Sequence, residues 1–76
     1  LTGATSAIDD DTETYTFAKS GTATDVVYTL SSSRGSDVVA GGNVTFSGDG
    51  DRTLTLSGVS AEVGSTRTDS LIVTID

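Results

Sequence analysis

Thr12, Thr14 and Thr16 alternate with Glu13, Tyr15 and Phe17, and further along Thr53, Thr55 and Ser57 alternate with Leu54 and Leu56. A repeat of two is the repeat of a pleated strand with one wet face and one dry face, and no window of the chain carries the 3.6-residue apolar period of a helix. That alternation constrains the chain more than its composition does. An apolar fraction of 34% with a formal charge of −7 leans toward disorder. Thr and Ser, however, make up 25 of the 76 residues, and Pro is absent. Thr suits the exterior of a half-buried sheet, so the hydroxyl excess reads as strand surface rather than as a solvated coil.

Taken in order, the pattern predicts seven strands. Residues 1–6 form a short opening strand interrupted by Gly3, and Asp9, Asp10 and Asp11 make a polar turn. Residues 12–17 follow, broken by Lys19, Ser20 and Gly21. Residues 25–31 place Val26, Tyr28 and Leu30 inward, with Val27 and Thr29 outward. Val38 and Val39 form a stub ended by Gly41 and Gly42, and residues 43–47 turn Val44 and Phe46 inward. The run from Ser47 to Asp51 is a turn by composition. Residues 52–60 carry Leu54 and Leu56 inward, and residues 66–75 close the chain with Leu71, Val73 and Ile75 inward. Short strands spaced roughly ten residues apart by Gly, Asp and Ser turns are the signature of a two-sheet sandwich. The expected core is Tyr15, Phe17, Val26, Tyr28, Leu30, Val44, Phe46, Leu54, Leu56, Leu71 and Val73.

The same residues exclude several chemistries. With no Cys and no His there is no thiol nucleophile, no imidazole base, and no Cys or His ligand for zinc or haem. Abundant Ser and Thr hydroxyls lack a base to activate them, and no apolar pocket is evident that would separate the pKa values of paired carboxylates. The residue set supports no enzyme and no cofactor. Four basic residues against eleven acidic ones make nucleic-acid binding electrostatically uphill. The longest apolar run, Leu71 to Val73, is too short for membrane insertion as a helix. The absence of Cys fits a reducing compartment or a folding route without oxidation. No signal segment opens the chain, whose first residue is Leu, and it reads as a segment of a longer polypeptide.

The stretch Leu1-Thr2-Gly3-Ala4-Thr5-Ser6 followed by Glu13-Thr14-Tyr15-Thr16-Phe17 resembles the opening of the bacterial immunoglobulin-like and PKD-like domains. Val27-Tyr28-Thr29-Leu30-Ser31 stands where that family has its third strand. Asn43-Val44-Thr45-Phe46 with the Gly-Asp turn after it is similar to the fifth, and Asp69 to Ile75 is similar to the closing strand. The nearest likeness is to copies in structural proteins of tailed phages, of the cyanophage type. The chain departs from the family at Leu30, where a Trp is frequent, and at Arg52, where a Tyr often follows the turn glycine. Tyr15 or Tyr28 is expected to supply a partly buried ring with its hydroxyl at the surface.

The resemblance implies an all-β, seven-stranded immunoglobulin-like sandwich without a disulfide, spanning residues 1–76 as one domain. It further implies a non-enzymatic structural or decoration module on the capsid, tail or fibre of a phage virion, in contact with other virion proteins or copies of itself. Residues 20–24 and 61–65 would be the loops facing host cell-surface glycans. The alternative is a stalk or binding repeat of an adhesin on a bacterial cell surface. In the immunoglobulin-like topology the turns holding Asp9, Asp10, Asp11, Asp37, Asp49 and Asp51 converge at one pole. Asp9, Asp11, Asp49 and Asp51 are then calcium candidates, although no complete loop motif is present and capping of local backbone groups is the favoured reading. Leu71 to Ile75 is the segment most prone to pair with another chain, flanked by Asp69 and Asp76; pairing within the sandwich is the favoured reading.

Overall fold

The computed structural model describes residues 1–16, 26–60 and 66–76, with side chains omitted at 26–28, 59–60 and 66–67. Phe17, and the inward positions expected of the Val26 and Tyr28 side chains, lie outside what is described. The described residues form strands and turns only: β1 (Ser6–Ala7), β2 (Thr12–Thr14), β3 (Val26–Ser32), β4 (Val38–Ala40), β5 (Asn43–Thr45), β6 (Gly50–Ser60) and β7 (Thr66–Ile75). They make two sheets, one ordered β1-β7-β6-β3 and the other β2-β5-β4. All pairs are antiparallel except β1 with β7, which run parallel.

The two sheets close over one core. Tyr15, Val44 and Phe46 from the smaller sheet meet Leu30, Leu54, Leu56, Val73 and Ile75 from the larger, all of them buried. Leu71, Leu1, Ala7 and Val39 are half-buried and pack on its rim. The alternation of the sequence is visible as burial. Leu54 and Leu56 are buried while Ser57 is exposed, and Tyr15 is buried between exposed Thr14 and Thr16. The outward rows hold hydroxyls and amides that bond across strands. Thr12 Oγ1 and Thr45 Oγ1 lie 2.8 Å apart, and Thr14 Oγ1 donates to Asn43 Oδ1 at 2.8 Å. These are the cross-strand pairs that hold a wet sheet face together.

The opening segment differs from the expected strand over residues 1–6. Thr2 makes an isolated antiparallel bridge with Thr16, alongside the smaller sheet, and only Ser6 and Ala7 then form a strand, against β7. The segment therefore leaves one sheet and joins the other. Gly3 sits at the departure point, where a Cβ would lie 2.3 Å from Cδ1 of the Tyr15 ring. The ring reaches past the glycine, and its hydroxyl donates to the Ala4 carbonyl at 2.6 Å. Gly3→Ala is accordingly expected to destabilise the fold by about 1–3 kcal/mol through overpacking against Tyr15. A urea melt showing an unchanged midpoint would mean that the ring can move aside.

β7 lies inside its sheet, between β6 along its whole length and β1 at its end. The Thr74 amide donates to the Thr5 carbonyl and the Asp76 amide to the Ala7 carbonyl, extending that parallel pairing. Thr74 and Ile75 are thus internal to the sheet, while over Leu71 to Val73 the described pairing is with β6.

Candidate functional site

Three turns meet at one end of the sandwich. The Ile8 to Asp11 turn is closed by the Asp11 amide on the Ile8 carbonyl at 3.1 Å, with Asp10 at a φ of 72°, a conformation that Asp tolerates better than most residues. It is tied to the end of β5: the Asp10 amide donates to the Phe46 carbonyl and the Phe46 amide to the Asp11 carbonyl, each at 2.9 Å. The β3–β4 loop reaches the same place, where Ser36 Oγ donates to the Ser47 carbonyl at 3.0 Å.

At the centre of this junction is a buried ion pair. Arg52 points inward from β6 on the same face as Leu54 and Leu56, and is only 2% exposed. Its Nε donates to Asp37 Oδ2 at 3.0 Å and its Nη2 to Asp37 Oδ1 at 3.1 Å, a two-pronged pairing in which both side chains are sealed from solvent. The guanidinium also holds the turn before β6, donating to the carbonyls of Gly50 at 2.6 Å, Gly48 at 2.8 Å and Ser47 at 3.1 Å. Asp37 in turn accepts from Ser32 Oγ at 2.6 Å and from the Ser47 amide at 2.9 Å. Phe46 lies beneath, with the guanidinium carbon 5.3 Å from its ring centroid, and meets Tyr15 edge-on at 6.3 Å. No buried side-chain polar atom among the described residues lacks a partner.

A second arginine clamps the same turn from outside. Arg34 Nη1 donates to the Asp49 carbonyl at 2.8 Å. Gly48 and Gly50 have φ of 90° and 111°, and a Cβ on either would lie within about 3 Å of the Arg34 guanidinium, at 3.0 and 2.9 Å. The carbonyls from Ser47 to Gly50 are therefore all occupied by guanidinium donors.

The carboxylates expected at this pole do converge as turns but do not pool their charge. Asp9 Oδ1 accepts from the Gly48 amide at 2.8 Å, Asp11 Oδ2 from the Ile8 amide at 3.4 Å, and Asp51 Oδ1 from Thr74 Oγ1 at 2.7 Å. Asp37 faces the guanidinium, and Asp49 takes part through its backbone. Among the described residues no group of three or more acidic side chains is close enough to hold a metal ion. The loops 20–24 and 61–65, and Lys19, lie outside the described residues.

Their surroundings shift the titration of Asp37 and Tyr15. Burial pushes the Asp37 carboxyl up, but hydrogen bonds from Arg52, Ser32 and the Ser47 amide, together with the Arg52 charge, outweigh it and hold the pKa below its ordinary 3.8. Burial, with the Glu13 charge second, raises the Tyr15 phenol above its usual value. Neither is arranged for proton transfer: Asp37 is saturated with donors, and the Tyr15 hydroxyl is turned onto a carbonyl. Comparison with known proteins gives no match, whether to a family model, a curated protein or a solved structure.

Proposed function

We propose that the two sheets form an immunoglobulin-like sandwich and that the chain is a non-enzymatic structural or accessory module of a phage virion, displayed on capsid, tail or fibre. The topological reading rests on the first segment, which bridges to the chain after β2 and then runs parallel to the last strand in the opposite sheet. The passive role rests on one observation above all. The buried charged constellation of the described residues is closed on itself, with Arg52 and Asp37 both engaged by the turns they join, so it braces loops and leaves no group facing a substrate. Around it the outward sheet faces are hydroxyl-rich: Thr12, Thr14, Thr29, Ser57, Thr68 and Thr74 are all exposed. An acidic, hydroxyl-coated surface keeps a protruding module soluble at high local density. Its contacts would be other virion proteins or further copies, and residues 20–24 and 61–65 are the segments proposed to meet host glycans.

Purified phage particles from a lysate of the host, digested and analysed by mass spectrometry, provide the test. Peptides of this chain are expected in the particle fraction at a copy number matching a capsid, tail or fibre component. Recovery in the bacterial envelope fraction, and absence from particles, would assign it to a surface adhesin instead.

A further inference from the structure

The opening segment is bonded to both sheets. Thr2 and Thr16 exchange amide-to-carbonyl bonds at 2.9 and 2.8 Å, on the side of the smaller sheet. Ala4 is tied to that side as well, its carbonyl accepting from the Tyr15 hydroxyl at 2.6 Å. From Thr5 onward the segment belongs to the larger sheet. The Thr74 amide donates to the Thr5 carbonyl at 2.9 Å and the Asp76 amide to the Ala7 carbonyl at 3.1 Å, flanking the pairs of Ser6 with Thr74 and Ala7 with Ile75.

The direction of the segment decides how these bonds meet a pull. β1 runs parallel to β7, and the Leu1 amino group donates to the Asp69 carboxylate. Residues 1–7 therefore travel alongside β7 from the level of Asp69 to that of Ile75. Leu1 and Asp76 are separated by roughly 23 Å along the strand, the seven residues from Asp69 to Asp76 at a rise of about 3.3 Å each. Tension applied between them acts along β7 and works to slide the segment lengthwise past both sheets. Backbone bonds between neighbouring strands lie across the strands, so sliding strains them together rather than in sequence. A ladder loaded from one end, by contrast, opens one bond at a time.

We propose that the opening segment is a load-bearing strap, a device that keeps the two sheets closed when tension runs between Leu1 and Asp76. Force reaching Leu1 passes through Thr2 and Ala4 into the smaller sheet, and through Thr5 to Ala7 into β7. Force reaching Asp76 enters β7 from the opposite end. The sheets stay closed over their core until the strap's bonds to both have failed. Gly3 permits this double attachment, because the strap crosses between sheets where the Tyr15 ring fills the place of a Cβ. The strap acts in the same way on whichever surface the chain is displayed.

Single-molecule force spectroscopy tests this. The chain has no cysteine, so a pair introduced to hold the handles is unique. In the first geometry the cysteines are added beyond Leu1 and beyond Asp76. In the second they stand at Asp49→Cys and beyond Asp76, across the end of the β6–β7 ladder where Gly50 faces Ile75, so that pulling opens that ladder bond by bond. The first geometry is expected to give one unfolding step at a force about twofold or more above the second. Thr2→Pro removes the Thr2 amide from the attachment to the smaller sheet, and Asp76→Pro removes the Asp76 amide from the attachment to the larger. Each is expected to raise the unfolding rate under constant end-to-end force about two- to tenfold, the loss of one hydrogen bond. Thr2→Pro is expected to leave unfolding in the second geometry unchanged. Thermal melts show that each variant is folded, and the comparison of the two geometries decides without them should either fail to fold. Equal forces in the two geometries, a separate low-force step that releases residues 1–11 before the sheets part, or an end-to-end rate unmoved by one of the proline variants would each overturn the proposal.

Discussion

Replacing Arg52 by Ala is expected to lower the unfolding free energy by about 3–5 kcal/mol, a large part of what a domain of this size possesses. The substitution removes the counter-ion from a carboxylate whose side chain is sealed from solvent, and takes the donor from the carbonyls of Ser47, Gly48 and Gly50 at once. In a domain of this length that corresponds to a fall in melting temperature of about 12–40 °C. Asp37→Ala is expected to be comparably severe, because the guanidinium would stay buried with carbonyl dipoles as its only partners. Arg52→Lys should not rescue, since an ammonium cannot meet both carboxylate oxygens and the turn carbonyls in one plane. The double replacement Asp37→Leu with Arg52→Met is expected to cost clearly less than the sum of the single replacements, because no buried charge is left unpaired. Urea titrations that return additive losses would sink the reading of the pair as one coupled unit.

The same pair shapes the response to acid. The folded Asp37 pKa is below its ordinary 3.8, so the unfolded chain takes up that proton first as pH falls. The stabilisation from this carboxylate is complete above the ordinary value and is lost as pH drops below it toward the lowered one. In Arg52→Ala the main lowering influence is gone, and the acid limb of the stability curve is expected to flatten.

Which parts of this architecture could be read from the residues follows from what each strand faces. Strands with one dry and one wet side carry their geometry in the order of residues, and Leu54 and Leu56 between Thr53, Thr55 and Ser57 need no further context. The opening segment was harder. Its residues divide their pairing between two sheets, and Gly3, which breaks the alternation, is there because the Tyr15 ring occupies its Cβ position. The ion pair was masked by its own residue types. An Arg after a Gly-Asp turn looks like strand exterior, and Asp37 looks like one more turn carboxylate. Position alone carried the signal, since Arg52 shares the parity of Leu54 and Leu56 and thus faces inward. Once it does, burial demands a counter-charge, and Asp37 is the acid that the β3–β4 loop delivers.

Phe46 is where the core and the charged junction touch, and Phe46→Ala is expected to destabilise the fold by about 3–5 kcal/mol. The side chain is completely buried, with Tyr15 edge-on at 6.3 Å and the Arg52 guanidinium 5.3 Å above its centroid. Its backbone also binds the Asp10 amide and the Asp11 carbonyl, so a cavity here loosens the turn that meets β5. Phe46→Leu separates bulk from aromaticity. It retains most of the buried volume but removes the ring face under Arg52 and the edge-to-face pair, and is expected to cost about 1–3 kcal/mol. A cycle combining Phe46→Leu with Tyr15→Leu should return a coupling of about 0.5–1.5 kcal/mol from the ring pair. If Phe46→Leu unfolds at the same urea midpoint as the parent, the ring acts as filler alone, and the guanidinium is held in place by Asp37 and the turn carbonyls without it.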